Sequence, residues 1–414
     1  MNQRRDYIFN TIAGLINASE AVIMMMLVTR CASLTDAGYL TMAFALGNLL
    51  MTIGKYGVYG FQVSDTSHLY GYRAYFTLRI ITVVLMLLSL LTYLAYGHSI
   101  LDYHTDKTLT ILLISLVYSI ECIEDLYIGF LQCIGRLYLG SLLFIVRWIV
   151  ILISFAISIL CTHNIVFSLG VSFVLSLIET GIFVYVLGRR GYFAVIKGVI
   201  GNDSHTPASI LNLMFVTFPL FLSSFLSFFI SNASKYALER FASPERLACY
   251  GFVAMPVFAI GLLNSFVYHP QIVSLAVDYS QNRTKAFIHR VRVQYMIILA
   301  LTILCMGGAF VAGVPVLSWL YSIDLSQYRA ELLILTLGGG FLALSGYQTV
   351  ILTIMRRQNL ILYGYIPIAI IAFGGTGYAV RNYSTIGAAT MYLLLMILQC
   401  VEYEVFIRIN HLKE

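Results

Sequence analysis

Charged residues are scarce in this chain, because Asp, Glu, Lys and Arg make up only 11% of its 414 residues. Soluble domains carry about 25% charged and about 45–50% apolar residues. Here 60% of the residues are hydrophobic and the mean hydropathy is +0.87. A surface made from such residues is not suited to water, so the composition excludes an ordinary soluble protein and predicts a polytopic membrane protein.

Several chemical signatures are also missing. The seven cysteines are scattered and none form a CxxC pair, which disfavours a disulfide scaffold and a zinc site. The motifs GxxxxGK[ST], HExxH and GxSxG are absent, so the sequence offers no ATP site and no hydrolase site. The net charge of +6 is spread over short loops, which argues against nucleic acid as a partner. We therefore predict a protein that is not an enzyme and that uses no cofactor and no metal.

Long apolar runs dominate what remains. A bilayer core of about 30 Å needs about 20 apolar residues in a helix, and only helices or closed barrels can span it. Alternating ten-residue segments are absent, so we predict an all-α fold with twelve transmembrane helices: 8–29, 37–59, 77–97, 107–130, 137–160, 164–187, 207–232, 247–275, 291–312, 331–353, 359–380 and 384–407.

The predicted spans fall into two groups of six. The basic, glycine-containing segment 189–206 divides an N-terminal bundle, 1–188, from a C-terminal bundle, 207–414. Lys and Arg number sixteen in the loops on the side of the termini and seven in those on the other side, which predicts cytoplasmic termini. All seven prolines lie in the second half. Pro219 and Pro256 fall inside spans, where each kinks its helix. Either neighbouring helices accommodate the kinks, or these two spans bend during transport.

Ionisable residues occur within the predicted spans, where each costs about 2.5–3.5 kcal/mol on the insertion scale. Glu121 shares a helix face with Glu124 and Asp125, and an antiparallel fifth span brings Arg147 near Glu121. This cluster is either a structural ion pair or a site for a coupling proton or sodium ion. The candidates for the coupling site are Glu20, Glu121, Glu124, Asp125 and Glu179.

Basic residues near the span ends have two readings. Lys55 and Arg30 extend to the headgroups or bind a phosphate. Lys235 is a surface charge or belongs to a binding face, because Asn232, Lys235, Tyr236 and Glu239 are spaced i, i+3, i+4 and i+7 on a continued helix. Such a polar and aromatic face suits a headgroup or a sugar.

Two segments carry a family resemblance: GKYGVYGFQVSD after span two, and NASKYALERFASPERLACYGFVAMP leading into span eight. Together with twelve spans in two sixes, they resemble the Wzx-type polysaccharide flippases of the multidrug/oligosaccharidyl-lipid/polysaccharide (MOP) exporter superfamily. The resemblance covers nearly the whole chain. It implies a MATE-like fold, with two six-helix bundles in a V around a central cavity.

The resemblance also implies a function. Flippases of this kind move undecaprenyl-pyrophosphate-linked oligosaccharides, such as O-antigen, lipopolysaccharide or capsule repeats, to the outer leaflet of the bacterial inner membrane by alternating access. A polymerase and a chain-length regulator are the implied partners. The resemblance implies Arg30, Lys55, Lys235 and, on span five, Arg147 as contacts to the pyrophosphate, and the helix face of Lys235 adds Asn232 and Tyr236 as contacts to the headgroup or sugar. A cation-coupled multidrug antiporter and, less favoured, a membrane polysaccharide polymerase remain as alternatives.

Overall fold

The computed structural model describes residues 2–65, 69–201, 207–268 and 271–411. Every regular element among these residues is a helix. The predicted all-α, polytopic fold class is confirmed. Two compact units divide the chain, Met1–Phe225 and Leu226–Glu414.

The first unit holds eight helices and the start of a ninth. They are α1 (Asn2–Cys31), α2 (Leu34–Lys55), α3 (Val58–Ser64), α4 (Tyr72–Ile100), α5 (Thr105–Cys133), α6 (Leu137–Thr162), α7 (Ile165–Arg189), α8 (Tyr192–Ile200) and α9 (Pro207–Phe241). The division between the units falls within α9. A bundle boundary at residues 189–206 stays a prediction.

The second unit continues from α9. Its helices are α10 (Pro244–Tyr268), α11 (Ile272–Ser280), α12 (Thr284–Gly308), α13 (Val314–Tyr321), α14 (Arg329–Ile354) and α15 (Gln358–His411). A π-helical turn, Ala309–Gly313, joins α12 to α13, and a 3-10 turn, Ser326–Tyr328, precedes α14.

Ten helical segments of the described chain are long and apolar enough to cross a membrane. The predicted fourth span, α5, is not among them; it contains Asp106, Lys107, Glu121, Glu124 and Asp125. The last segment, Gln358–Ile409, covers both final predicted spans, and its backbone leaves helical geometry at Ser384 (φ 51°, ψ −132°). With α5 included and α15 divided at Ser384, the segments correspond to the twelve predicted spans.

Four shorter helices, α3, α8, α11 and α13, were not predicted. They overlap the segments that separate predicted spans, namely 60–76, 188–206, 276–290 and 313–330. Each has fewer than ten residues, and a run of that length carries too few turns to display a helical repeat of apolar residues. These short helices are therefore stabilised mainly by packing against longer helices, which a sequence pattern does not reveal.

Helix α2 lies in the core of the first unit. It begins with a capping box, in which Ser33 and Asp36 exchange hydrogen bonds, and it ends at Tyr56 in the left-handed region (φ 49°). Its window of apolar residues is 78% buried, against 28% for that of α1. Small residues such as Ala43, Gly47 and Gly54 allow α5 and α4 to approach α2 closely. The side chains near the end of α2 are thus held inside this unit.

Helix α14 is closely packed in the second unit, as α2 is in the first, and the close approach occurs at Gly338, Gly339 and Gly340. A Cβ on Gly338 would lie 2.7 Å from the Tyr392 ring of α15. A Cβ on Gly339 would lie 3.2 Å from Ile260 of α10, and one on Gly340 would overlap Thr302 of α12. The three glycines therefore serve close helix packing.

Candidate functional site

A buried guanidinium lies in the core of the first unit. Arg147 of α6 has no exposed side-chain area, and it contacts two carboxylates of α5. Its Nη2 lies 2.7 Å from Glu121 Oε2, and its Nε lies 2.9 Å from Glu124 Oε2. The i, i+3 spacing puts both glutamates on one face of α5, and the predicted approach of Arg147 to Glu121 is present.

The partners of this arginine are themselves held in place. Thr180 of α7 donates a hydrogen bond to Glu124 Oε1 over 2.6 Å. Arg147 Nη1 also donates to the Val117 carbonyl over 3.4 Å. The ion pair therefore joins α5, α6 and α7 inside the unit. In a bilayer, where apolar burial between helices gives little driving force, such polar contacts contribute to association.

Lys55 enters the same network from the end of α2. Its Nζ lies 2.8 Å from Glu121 Oε1, so one carboxylate accepts from two cations. The Lys55 side chain keeps 31% of its area exposed, whereas that of Glu121 keeps 7%. Lys55 therefore differs from Arg147 in that a ligand can reach it.

A second buried pair was not predicted. Arg79 of α4 is fully buried, and its Nη2 lies 2.7 Å from Asp125 Oδ2. Its Nη1 donates to the carbonyl of Gly54, which also accepts from Thr82. The sixteen cations counted in the loops on the side of the termini include Arg79, and this placement is wrong because Arg79 lies inside α4. Its position inside the predicted span 77–97 could have revealed the pair, because a buried cation needs an acid and Asp125 lies inside the predicted span 107–130.

Two carboxylates have no cation partner among the described residues. Glu20 of α1 is 7% exposed, and its Oε1 accepts from the Tyr118 hydroxyl over 3.4 Å. Tyr118 in turn accepts from Asn48 over 3.3 Å. The Oε2 atoms of Glu20 and Glu179 are buried and have no hydrogen-bond partner within the described chain. The cluster of Glu20, Glu121, Glu124, Asp125 and Glu179 thus exceeds its cations, Lys55, Arg79 and Arg147, by two charges when all are ionised.

Lys235 lies on α9, in the second unit. The helix continues to Phe241, which confirms the predicted continuation beyond the apolar run. Lys235 is half-buried, and it has no ion pair or hydrogen bond within the described ranges. Its helix neighbour Asn232 bonds to the carbonyl of Phe228, and the ring of Tyr236 stacks on Phe229 with the centroids 6.0 Å apart.

The remaining predicted residue, Arg30, is exposed in the last turn of α1. The structure therefore brings Lys55, Arg147 and the five predicted acids into one unit, while Asn232, Lys235 and Tyr236 share a helix in the other. The part of the chain that the structure describes contains no group of three or more His, Cys, Asp or Glu residues placed to hold a metal ion.

This helical architecture defines a multi-pass membrane protein of the MATE-like class, a fold found in transporters. The chain belongs to the family described as polysaccharide biosynthesis protein, whose model matches residues 4–275. This confirms the predicted family. No curated protein sequence matches the chain.

Three solved structures illustrate the likeness of fold. An inward-facing MATE multidrug transporter of the MOP superfamily has a TM-score of 0.69 at 13% identity, covering 99% of this chain and 98% of its own. The lipid II flippase MurJ, in an inward closed conformation, has a TM-score of 0.69 at 14% identity, with 97% and 87% covered. A MOP transporter from Pyrococcus furiosus has a TM-score of 0.64 at 12% identity, with 100% and 95% covered.

Proposed function

We propose that this protein is a flippase for lipid-linked oligosaccharides, with an undecaprenyl pyrophosphate carrying an O-antigen, capsule or similar repeat. Lys235 is the observation that carries the proposal. A half-buried lysine without a described partner, inside a helix that qualifies as a span, is costly in a bilayer. An anionic group that passes this lysine during transport offsets that cost.

The neighbours of Lys235 suit the rest of such a substrate. Tyr236 offers an aromatic face for a sugar ring, and Asn232 offers a side-chain amide on the same helix. Family membership supports a role in polysaccharide assembly, and the fold is that of transporters rather than enzymes. The finer assignment to O-antigen or lipopolysaccharide belongs to this proposal.

Lys55 is the second proposed phosphate contact, since its amine is reachable. Binding there requires the pyrophosphate to compete with Glu121 for the amine. Arg147 is a weaker contact because two glutamates already neutralise it and no side-chain area is exposed. Arg30 is exposed and is proposed as an encounter site at the end of α1.

Energy coupling is assigned to the carboxylates without cations. Glu121, Glu124 and Asp125 each have an ion-pair partner, so we place the coupling proton or sodium ion at Glu20 or Glu179. Glu20 with Tyr118 and Asn48 forms a polar path between α1, α5 and α2. The proposal includes a bacterial inner-membrane location, cytoplasmic termini, bundles 1–188 and 207–414 joined by 189–206, and a polymerase and chain-length regulator as partners.

Reconstitution in liposomes tests this function. Leaflet exchange of an undecaprenyl-pyrophosphate oligosaccharide is followed with and without an imposed pH gradient. We expect exchange above that of empty liposomes, and we expect Lys235→Gln to slow it at least tenfold while Lys235→Arg retains most of it. The matched control is Arg240→Gln, an exposed cation on the same helix. Equal rates for Lys235→Gln and wild type, both above background, would remove Lys235 from the site.

A substitution at Glu20 tests whether this residue binds the coupling ion. We expect Glu20→Gln to abolish the response to the pH gradient while leaving gradient-free exchange intact, because a neutral amide does not titrate. Tyr118→Phe, which removes the hydroxyl that Glu20 accepts from, is expected to have a weaker effect of the same kind. An undiminished gradient response in Glu20→Gln would transfer the assignment to Glu179.

A multidrug antiporter is the second candidate function. The excess of carboxylates over cations in the first unit favours it, since such a cluster attracts organic cations. It predicts efflux of a cationic dye that depends on Glu20 and not on Lys235. Dye efflux without lipid exchange would replace the flippase proposal.

A further inference from the structure

A groove in the second unit lies between α12 and α15 and has a volume of about 340 Å³. From α12, its walls are formed by Phe287, Ile288, Val291 and Tyr295. From α15, they are formed by Glu404, Ile407 and Arg408. The surface between these walls is almost wholly apolar. Both helices belong to candidate spans, so the groove opens on a part of the surface suited to hydrocarbon.

Two arginines lie on the helices that form this groove, and one of them, Arg408, lines it. Arg408 is one of its walls, and its side chain is 75% exposed. Arg292 is exposed on α12. It follows Ile288 by four residues and precedes Tyr295 by three, so its side chain neighbours these two groove residues on the surface of the helix. No other described residue forms an ion pair or hydrogen bond with Arg292. Each of the two helices therefore carries an exposed arginine, Arg408 in the groove wall on α15 and Arg292 beside the groove-lining residues of α12.

The acid in the groove is already satisfied. Glu404 Oε1 lies 2.8 Å from Arg408 Nε, while its Oε2 accepts from the Tyr295 hydroxyl over 2.9 Å and from Gln348 over 3.2 Å. These bonds fix the Arg408 guanidinium through Nε and leave its terminal nitrogens to an external acceptor. The groove consequently combines a hydrocarbon-lined cleft with a positioned cation and a second cation beside it.

We propose that this groove binds an anionic phospholipid of the bilayer, with an acyl chain against Ile288, Val291 and Ile407 and the phosphate between Arg292 and Arg408. Basic pockets between spans bind anionic headgroups through the same combination of charge and apolar contact. The occupant is a bilayer lipid, because the groove lies on the apolar outside of one unit, with Val405 and Ile409 of α15 exposed beside it. The proposal does not depend on what the protein transports.

Native mass spectrometry of the purified protein tests the site, with phosphatidylglycerol and phosphatidylcholine titrated separately. We expect tight binding of phosphatidylglycerol only. Arg292→Ala with Arg408→Ala is expected to weaken it about 25-fold, since each cation near an anionic lipid contributes about fivefold. The matched control is Arg356→Asn with Arg357→Ala, which removes two exposed cations that belong to neither α12 nor α15. Asparagine tolerates the positive φ of Arg356.

A second pair of variants tests the apolar part without changing charge. Ile288→Trp fills the groove, and Val293→Trp places the same bulk on an exposed position of α12 outside it. We expect only the first to block phosphatidylglycerol. Equal losses in both arginine pairs, or unchanged binding in Ile288→Trp, would overturn the proposal. Preferential binding of undecaprenyl phosphate over phosphatidylglycerol at this groove would also overturn it, because the occupant would then be a substrate carrier.

Discussion

The two units differ in how deeply their ion pairs are buried. In the first unit, Arg147 and Arg79 have no exposed side-chain area, and their carboxylate partners lie on another helix. In the second, the arginines of the pairs Arg290–Asp278 and Arg408–Glu404 are 43% and 75% exposed.

Glycines allow close helix approach in both units, at Gly47 and Gly54 of α2 and at Gly338, Gly339 and Gly340 of α14. Among the described residues, only the first unit adds fully buried arginine pairs to these contacts. Small residues and polar contacts are the two established ways to associate helices in a bilayer. Buried pairs make association sensitive to charge, whereas glycine contacts make it sensitive to volume. We infer that both units respond to side-chain size, and that the first unit responds in addition to protonation or to a charged ligand.

The largest expected effect comes from breaking the charge-based packing. Arg147→Met leaves Glu121 and Glu124 short of a cation, and losing one partner of a buried pair costs about 3–5 kcal/mol. The free energy of unfolding in mild detergent measures this loss.

A charge-balanced variant sharpens that experiment. Arg147→Met with Glu124→Gln removes one charge of each sign and keeps the pair of Lys55 with Glu121. We expect it to regain more than half of the lost free energy. An Arg147→Met protein as stable as wild type would show that the buried pair does not hold the first unit together.

A volume change in the second unit is expected to have a smaller effect. Gly340→Ala adds a Cβ that overlaps the side chain of Thr302, and overpacking of this kind costs about 1–3 kcal/mol. Gly346→Ala on the same helix is the control, because no atom lies within 4 Å of its added Cβ. We expect that control to leave the unfolding free energy unchanged or raise it slightly. Equal losses in both variants would indicate a backbone effect rather than packing.

The prolines allow a test of motion rather than stability. Pro219 lies inside α9, next to Leu220 and Phe221, which contact Gly57 and Tyr56 within the first unit. Pro219→Ala restores a helical hydrogen bond, so we expect unfolding free energy to stay equal or rise while lipid exchange in liposomes falls severalfold.

Pro244→Ala is the control for that test, because Pro244 begins α10, where a proline removes no intrahelical bond. Unchanged exchange in Pro219→Ala would favour the reading in which neighbouring helices simply absorb the kink.

The smallest effect is expected at the exposed pair of the second unit. Arg408→Ala removes a cation whose side chain is 75% exposed. Exposed ion pairs contribute little to stability, so we expect no resolvable change in the midpoint of unfolding. A clear loss of stability would show that the exposed pairs of this unit carry the same weight as the buried pairs of the first.

Several features of the fold follow from local pattern. Apolar runs of membrane length predicted the long helices, and the acids of α5 with Arg147 in the next span predicted their contact. Arg79 escaped prediction because its position near a helix start resembles that of an inner-loop arginine, and the carbonyl of Gly54 that it reaches belongs to another helix. The pairing of Lys55 with Glu121 was also missed, because the two residues lie on different helices and 66 positions separate them in the sequence.

The amino-acid sequence by itself determined that this chain spans a membrane, because hydrocarbon accepts only segments whose backbone bonds are satisfied internally, and the long apolar runs of this chain meet that demand as helices. It also determined which residues are too polar for that environment. Only the tertiary structure decided which of those charges neutralise one another, because Coulomb energy depends on distances of a few ångströms between helices that are remote along the chain. Arg147 and Lys55 have carboxylate partners within the described chain, and Lys235 has none.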